Sequence, residues 1–435
     1  MRRMFLFFGA AVAALLPDAA ASAQHEHHPP PADASPAPAA GDRNLFQSDM
    51  NVMAGMTPEH PPSPGPDGGW AFHLLGIARL TYNDQGGPSG ESGLESTNWS
   101  MVMAQRDAGP GLLTLMLMNS LEPLTLREEG SPHLFQTGES LDGRPLVDHQ
   151  HPHDLFMNLS ATYRVAFGQQ SAAWIQLAPV GEPALGPTAF MHRASAGENA
   201  TSPLGHHWHD STHITYNVAT LGWGWRWLAF EASAFHGKEP DEGRWDIDGG
   251  EPDSLAARVA IRLRNGWSGQ ASHGYLHEPE ALEEGDTHRT TASLHYGAAG
   301  DRPLAATLIW GRNAEDHGVS SSYLLEAAYQ VTPADHAYGR IEWSEKDYGL
   351  LASKGHGDTH GPDVPEIAEI GALTLGYVRE LSSSGNLRLA AGADLTAYTF
   401  PSRLEPVYGD APLSVHAFFR LRWGRPHGEG GHAGH

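Results

Sequence analysis

The chain has 435 residues and a formal net charge of -24, from 51 acidic against 27 basic residues, with 27 histidines counted as neutral. That balance excludes nucleic acid as a partner, since no basic surface is present to neutralise phosphates. Cysteine is absent, which excludes a disulfide framework and any thiolate metal site and is in keeping with export through an oxidising compartment.

Arg2 and Arg3 precede an apolar run from Phe5 to Leu16, too short for an ordinary membrane helix. Ala21-Ser22-Ala23 then offers small residues for cleavage, so residues 1–23 are expected to be a signal peptide and the mature chain to begin at Gln24. No later stretch approaches the roughly 20 apolar residues of a membrane helix, so a membrane-spanning form of this chain must span with strands. Residues 24–66 are rich in Pro, Ala and His, with His25, His27 and His28 at the start, and read as a disordered arm. Met50, Met53 and Met56 recur in it every three residues, followed by His60. Thioethers are soft ligands that favour Cu(I). An amphipathic plug packing its methionines against a larger body accounts for the spacing equally well.

From Trp70 the chain changes character, and period-two runs alternate with Gly, Pro, Asn and Asp clusters. Strands are predicted over 70–82, 96–106, 111–120, 154–166, 171–180, 210–221, 225–236, 254–264, 267–277, 287–297, 303–312, 320–331, 335–346, 367–380, 386–400 and 412–423. Leu255, Ala257, Val259, Ile261 and Leu263 make one face of such a run, and Arg258, Arg262 and Arg264 lie on the other. Tight turns fall at Gly109-Pro110, Gly168-Gln169, Gly222–Gly224, Asn265-Gly266, Gly300-Asp301, Thr332-Pro333 and Ser384-Gly385. The connections between them are mostly longer, over about 121–153, 181–209, 237–253 and 347–366. Short turns at one end and long loops at the other are the pattern of a transmembrane β-barrel. An even number of strands, about sixteen, puts both termini and the tight turns on the periplasmic side. Trp223, Trp225, Trp227, Trp267, Tyr296, Trp310, Tyr329, Tyr377 and Trp423 fall near strand ends, as interfacial girdles do. A soluble β-sandwich or propeller shares the alternation, but no blade-like repeat is present. The fold class is all-β: an antiparallel transmembrane barrel over residues 67–423.

Two histidine clusters sit in neighbouring long loops. The first is Asp148-His149-Gln150-His151-Pro152-His153-Asp154. Alternate residues of an extended chain share a side, so His149, His151 and His153 can converge on one ion, with the flanking carboxylates orienting the rings. The second contains His192, His206, His207, His209 and His213. Both loops are expected to open at the same mouth and to meet. Imidazole suits Cu(II), Zn(II) or Ni(II); copper is favoured and zinc is the other candidate. A loop whose histidines are hydrogen-bonded to neighbours, or line a constriction, is the competing account.

The last strand, Val415-His416-Ala417-Phe418-Phe419-Arg420-Leu421-Arg422-Trp423, resembles the terminal strand of Gram-negative outer-membrane barrels, with Phe419, Leu421 and Trp423 at the alternating positions. The resemblance implies a porin-like protein in outer-membrane lipid whose last strand is read by the barrel-assembly machinery. Residues 424–435 depart from that family by adding a His/Gly-rich tail, expected to be periplasmic, with His427, His432 and His435. The His- and Met-rich exported part is similar in composition to outer-membrane proteins of copper-resistance systems, which implies a copper ligand set.

Arg258, Arg262, Arg264, Arg340, Arg420 and Arg422 are expected to line the lumen and to set a transverse field against acidic loops. No Gly-x-Ser-x-Gly elbow, His-Glu-x-x-His pair or phosphate-binding glycine loop occurs, so no enzyme is expected. The leading expectation is an outer-membrane channel or metal-handling porin passing small solutes or metal ions. A metal-dependent enzyme on a β-scaffold and a plain diffusion porin are the alternatives.

Overall fold

The computed structural model describes residues 69–424, apart from 169, 283–284, 299–301, 317 and 355–365. The expected signal peptide, the arm with Met50, Met53, Met56 and His60, and the tail from 425 lie outside the described residues.

Sixteen strands make the wall. They are β1 (Ala71–Gln85), β2 (Asn98–Ala108), β3 (Gly111–Asn119), β4 (Phe156–Phe167), β5 (Ser171–Gly181), β6 (Thr215–Trp225), β7 (Leu228–His236) and β8 (Ser254–Arg262). The second half is β9 (Trp267–Leu276), β10 (Thr287–Ala298), β11 (Leu304–Glu315), β12 (Gly318–Thr332), β13 (Asp335–Asp347), β14 (Ile367–Ser384), β15 (Leu387–Thr399) and β16 (Leu413–Trp423). Each pairs antiparallel with the next, and β16 returns to β1, from Gly76↔Trp423 to Gln85↔Ser414. Closure leaves no edge, so the wall's backbone groups find their partners within the sheet. A short extra strand, Ser92–Glu95, extends the first hairpin against Thr81–Asp84.

The direction of the alternation decides between lipid and water. Along β16, Leu413, Val415, Phe419 and Leu421 are exposed while Ser414, His416 and Arg420 are enclosed; Phe419 is 56% exposed and Arg420 0%. The same inversion holds on β11 and β12, where Leu308 and Tyr323 face out and Glu326 is fully buried. A soluble barrel buries its apolar face, and this one buries the polar face and displays the apolar one, which is the pattern of a membrane wall. Trp223, Trp225, Trp227, Trp267 and Tyr377 are exposed at the tight-turn end, where an aromatic girdle belongs. Among the described residues no helix is long and apolar enough to cross a membrane.

One strand departs from the expected register. The turn expected at Gly222–Gly224 is strand, and the chain reverses at Arg226-Trp227, with Arg226 at φ 53°. Gly222 pairs directly with Trp174 of β5, and a Cβ there would lie 1.8 Å from the indole. The glycine makes room for a ring instead of turning the chain. Residues 211–213, expected to open this strand, form a 3-10 turn inside the barrel.

The long loops fold inward. Phe135 from the β3–β4 loop stacks on Tyr408 at 4.2 Å, and Leu134, Val147, Leu204 and Leu351 join them in one buried cluster. This apolar knot packs the loops against each other at their own end of the barrel.

Candidate metal centre

The β5–β6 loop, residues 182–214, crosses the lumen and is fixed to the wall on several sides. Arg193 donates from Nη1 to Asp210 at 2.5 Å and from Nε to Glu326 of β12 at 2.6 Å, and all three side chains are enclosed. Glu198 pairs with Arg420, and with Arg422 at 3.0 Å. Arg79 of β1 donates to the Gly197 carbonyl at 2.5 Å. Leu204 donates its N–H to Glu342 at 2.6 Å and accepts from Lys346 of β13 at 2.9 Å. A buried charge is tolerated only when paired and hydrogen-bonded, and here the pairing partners of the wall are supplied by the loop.

That path brings the second histidine cluster beneath the first. His153 of the β3–β4 loop and His213 have ring centroids 5.4 Å apart, and His206 lies 5.2 Å from His213. Each ring is oriented through Nδ1. His153 contacts Glu122 Oε2 at 2.8 Å, His206 contacts Asp210 Oδ1 at 2.7 Å, and His213 contacts the Asp210 carbonyl at 2.8 Å. A carboxylate or carbonyl only accepts, so each ring carries a proton on Nδ1, and in the neutral form its lone pair lies on Nε2. Nε2 of His213 is enclosed without a hydrogen-bond partner.

The electrostatics divide this set, disfavouring charge on His206 and His213 and favouring it on His153. Burial pulls His206 below the ordinary histidine value and His213 well below it. Burial also opposes charge on His153, but the Glu122 carboxylate beside it outweighs that and raises it. Burial disfavours the Asp210 anion, yet Arg193 and His206 hold its carboxyl well below the usual range. Neutral imidazoles anchored by an anion are the state a metal requires.

Beside this trio stand His151, His207, Glu139 and Glu239, the last from the β7–β8 loop. Glu139 is 2.7 Å from His151 Nε2 and 3.1 Å from His207 Nε2, while His207 Nδ1 is 3.2 Å from Glu239 Oε1. Both groups line one cavity, with room for about one water among polar donors and acceptors. A larger chamber adjoins it, lined by His133, His153, Trp99, Met191 and Arg79.

Several expected site residues lie elsewhere. His149 turns to Val147 O at 3.2 Å and toward Glu91 at 3.8 Å, so the alternating trio does not converge. Residues 149–150 are pinned as a two-residue strand against Ser131-Pro132, and Asp148 sits at φ 63°, so the extended run is broken. His192 stands edge-on to Trp99 at 4.8 Å, and His209 faces the Ser322 carbonyl on the wall at 3.3 Å. The flanking carboxylates do not orient the rings either. Asp148 accepts from Phe135 N and pairs with Lys354, and Asp154 binds Tyr216 and Arg244. Glu122 and Glu139 take that part, with Glu239 beside His207, and all three were missed, being distant in sequence; the His206–Asp210 pair, four residues apart on one turn, was legible.

Of the arginines, Arg258, Arg340, Arg420 and Arg422 face inward, paired respectively with Glu231, Glu326, Glu198 and Glu198. Arg262 lies at the end of β8 on the same face as Arg258. Arg264 is corrected: β8 ends at Arg262, and Arg264 sits exposed in the following turn. Carboxylates of wall and loop hold four of these guanidiniums, so the field they set is internally compensated.

No protein-family model and no curated protein matches this sequence. Solved structures do. The chain is similar to the anion-selective porin from Comamonas acidovorans, with 13% identity and a TM-score of 0.50 over 81% of this chain and 100% of that one. It is similar to OprB of Pseudomonas putida, with 11% identity and a TM-score of 0.51 over 82% of this chain and 95% of that one. The fold is that of the outer-membrane porins.

Proposed function

We propose that this protein is an outer-membrane, porin-fold protein that holds a transition-metal ion, copper or zinc, inside its barrel. The observation that carries the reading is the packing of His153 and His206 against His213, each ring held at Nδ1 by an acceptor, with Nε2 of His213 enclosed and without a partner. Three imidazoles with such outer partners are the donor set of a borderline divalent ion. The porin fold supports an outer-membrane location with lipid against the apolar wall, termini in the periplasm, and handling by the barrel-assembly machinery through the strand ending in Trp423. Met50, Met53, Met56 and His60 would then present soft ligands on the arm leading to the same barrel. A loop tied to the wall by ion pairs across the lumen favours a solute held there over one diffusing freely.

The test is calorimetric titration of the detergent-purified full chain with Cu(II) and Zn(II), against a His153→Ala/His206→Ala/His213→Ala variant. The tightest site is expected to weaken by more than about 100-fold, leaving the weak background of the terminal histidines. Equal affinity would remove the trio from the account. Heat-modifiable gel migration checks that the variant keeps its barrel. A large steady conductance in planar bilayers, insensitive to metal, would return the protein to a plain diffusion porin.

A further inference from the structure

Immediately beside the histidine trio, the ring of His207 is caught between two carboxylates. Its Nε2 lies 3.1 Å from Glu139 Oε1 and its Nδ1 3.2 Å from Glu239 Oε1. The two contacts are not alike. The first is a hydrogen bond, whereas the second lacks hydrogen-bond alignment, and both His207 Nδ1 and Glu239 Oε1 are enclosed without a partner. With its Nε2 engaged by Glu139, the ring turns its Nδ1 edge to the Glu239 carboxylate without an aligned hydrogen bond between them. Two enclosed polar atoms that face each other without a hydrogen bond forfeit their hydration for nothing. A cation between them resolves the conflict.

The surroundings fit such an ion. Glu139, His207 and Glu239 each offer a donor atom, all within 4.8 Å of one another. The two carboxylates balance a dication, and Glu139 is itself held by His151 at 2.7 Å and by Gln150 at 3.0 Å. His207 is enclosed, and Glu139 with it. His206 and His207 are neighbours on one helical turn, with rings 5.5 Å apart and near perpendicular, so each can serve a different position. The small cavity lined by all of these residues also takes in His153 and His213.

We propose that Glu139, His207 and Glu239 hold a second divalent ion next to the trio His153, His206 and His213, making the centre dinuclear. The inference rests on the proposed metal-binding reading for its neighbour, not for its own ligands. The second position has two oxygen donors and one imidazole, a harder set than the trio. It favours Zn(II) or Mn(II) over Cu(I), where the trio admits copper. Three separate loops supply the two positions, so the ions also tie the plug together.

The experiment counts zinc. Full-length protein in detergent is loaded with Zn(II), passed over a chelating resin to strip weak sites, and its retained metal is measured per chain by mass spectrometry. Glu239→Gln is expected to retain one ion fewer than wild type, because the amide keeps the shape and removes the anion. Glu139→Gln/Glu239→Gln is expected to show the same single loss. His153→Ala/His213→Ala should lose the other ion, and combining the sets should lose both. A wild-type count in both glutamine variants overturns the second position. If the histidine variant keeps the wild-type count while Glu239→Gln loses one ion, the trio fails and the carboxylate position stands. Heat-modifiable migration excludes unfolding as the cause of a loss, and Glu239→Gln is the milder variant if the double does not assemble.

Discussion

Arg193, on the loop that crosses the lumen, donates from Nε to Oε1 of Glu326 in β12 at 2.6 Å, with both side chains completely enclosed. The same guanidinium reaches Asp210 at 2.5 Å and the Thr188 carbonyl at 2.9 Å, so one residue joins the loop to itself and to the wall. Arg193→Ala takes the guanidinium from two buried anions, leaving Asp210 with His206 and Glu326 with the longer Arg340 contact at 3.5 Å, a change that costs at most about 3–5 kcal/mol. The cost falls on the plug, since the wall hydrogen bonds are untouched. Planar-bilayer conductance is expected to rise well above wild type while heat-modifiable migration is retained. Arg193→Lys keeps the charge but cannot serve both carboxylates in a fork, and should lie between. Unchanged conductance in Arg193→Ala would show that the plug is held elsewhere.

Glu122 accepts from the backbone N–H of His153 at 2.9 Å and contacts its Nδ1 at 2.8 Å. This carboxylate fixes the ring's tautomer from outside the ligand set. Glu122→Gln removes the charge and permits the amide to present its N–H₂ to the ring, and metal affinity is expected to fall by about 10–100-fold. Competition against a chelating dye measures it. An effect equal to that of His153→Ala would make Glu122 a ligand itself, and no effect would place the metal away from His153.

Glu198 gives the plug a distinctive acid response. Burial would raise its carboxyl, but Arg420 and Arg422 hold it well below the usual carboxylate range. A depressed folded value means that its contribution is complete above the unfolded value of about 4.3 and is lost only as pH falls through the lower folded one. The latch is therefore expected to hold through mild acid and to loosen only below about pH 4. Protease nicking of the 182–214 loop, followed from neutral to strongly acidic pH with an acid-stable protease, reads this out. Glu198→Gln should be nicked at every pH and lose the transition. Loosening in the pH range where free histidines titrate would assign the response to the imidazoles instead.

The wall was legible because its information is local. Leu413 to Trp423 alternates residue by residue, and Asn265-Gly266 carries its turn in its own chemistry, so neither needs knowledge of the rest of the chain. The porin fold followed from such segments added together. What was not legible depends on contacts far apart in sequence. Gly222 and Gly224 have the composition of a turn, yet both lie in β6, where Gly222 makes room for the indole of Trp174. The histidines stood out by density, but which of them meet depends on how three loops fold inward. His153 reaches His213, 60 positions along the chain, while His149, four residues away, does not join them. The carboxylates Glu122, Glu139 and Glu239 carry no local mark, because an acidic residue in a loop of so acidic a chain is unremarkable until its partner is known.

The Gly222–Trp174 pair allows the register of β6 to be tested directly. Trp174 is enclosed against Ala229 and Ala260 on the inner face. In Gly222→Ala the new methyl would meet ring atoms at 1.8 and 2.2 Å, so the indole must leave its place, at a cost of about 1–3 kcal/mol. In a Trp174→Ala background the obstacle is gone, and Gly222→Ala should cost close to nothing. The coupling in this double-mutant cycle is then nearly the whole single-mutant effect, measured by urea unfolding in lipid vesicles. A glycine needed for a turn behaves differently. Its replacement would act through backbone strain, with Trp174 irrelevant, and the two substitutions would add. Additivity would return the reversal to 222–224 and shift the outward face of β6, whereas strong coupling keeps Trp223 and Trp225 in the girdle.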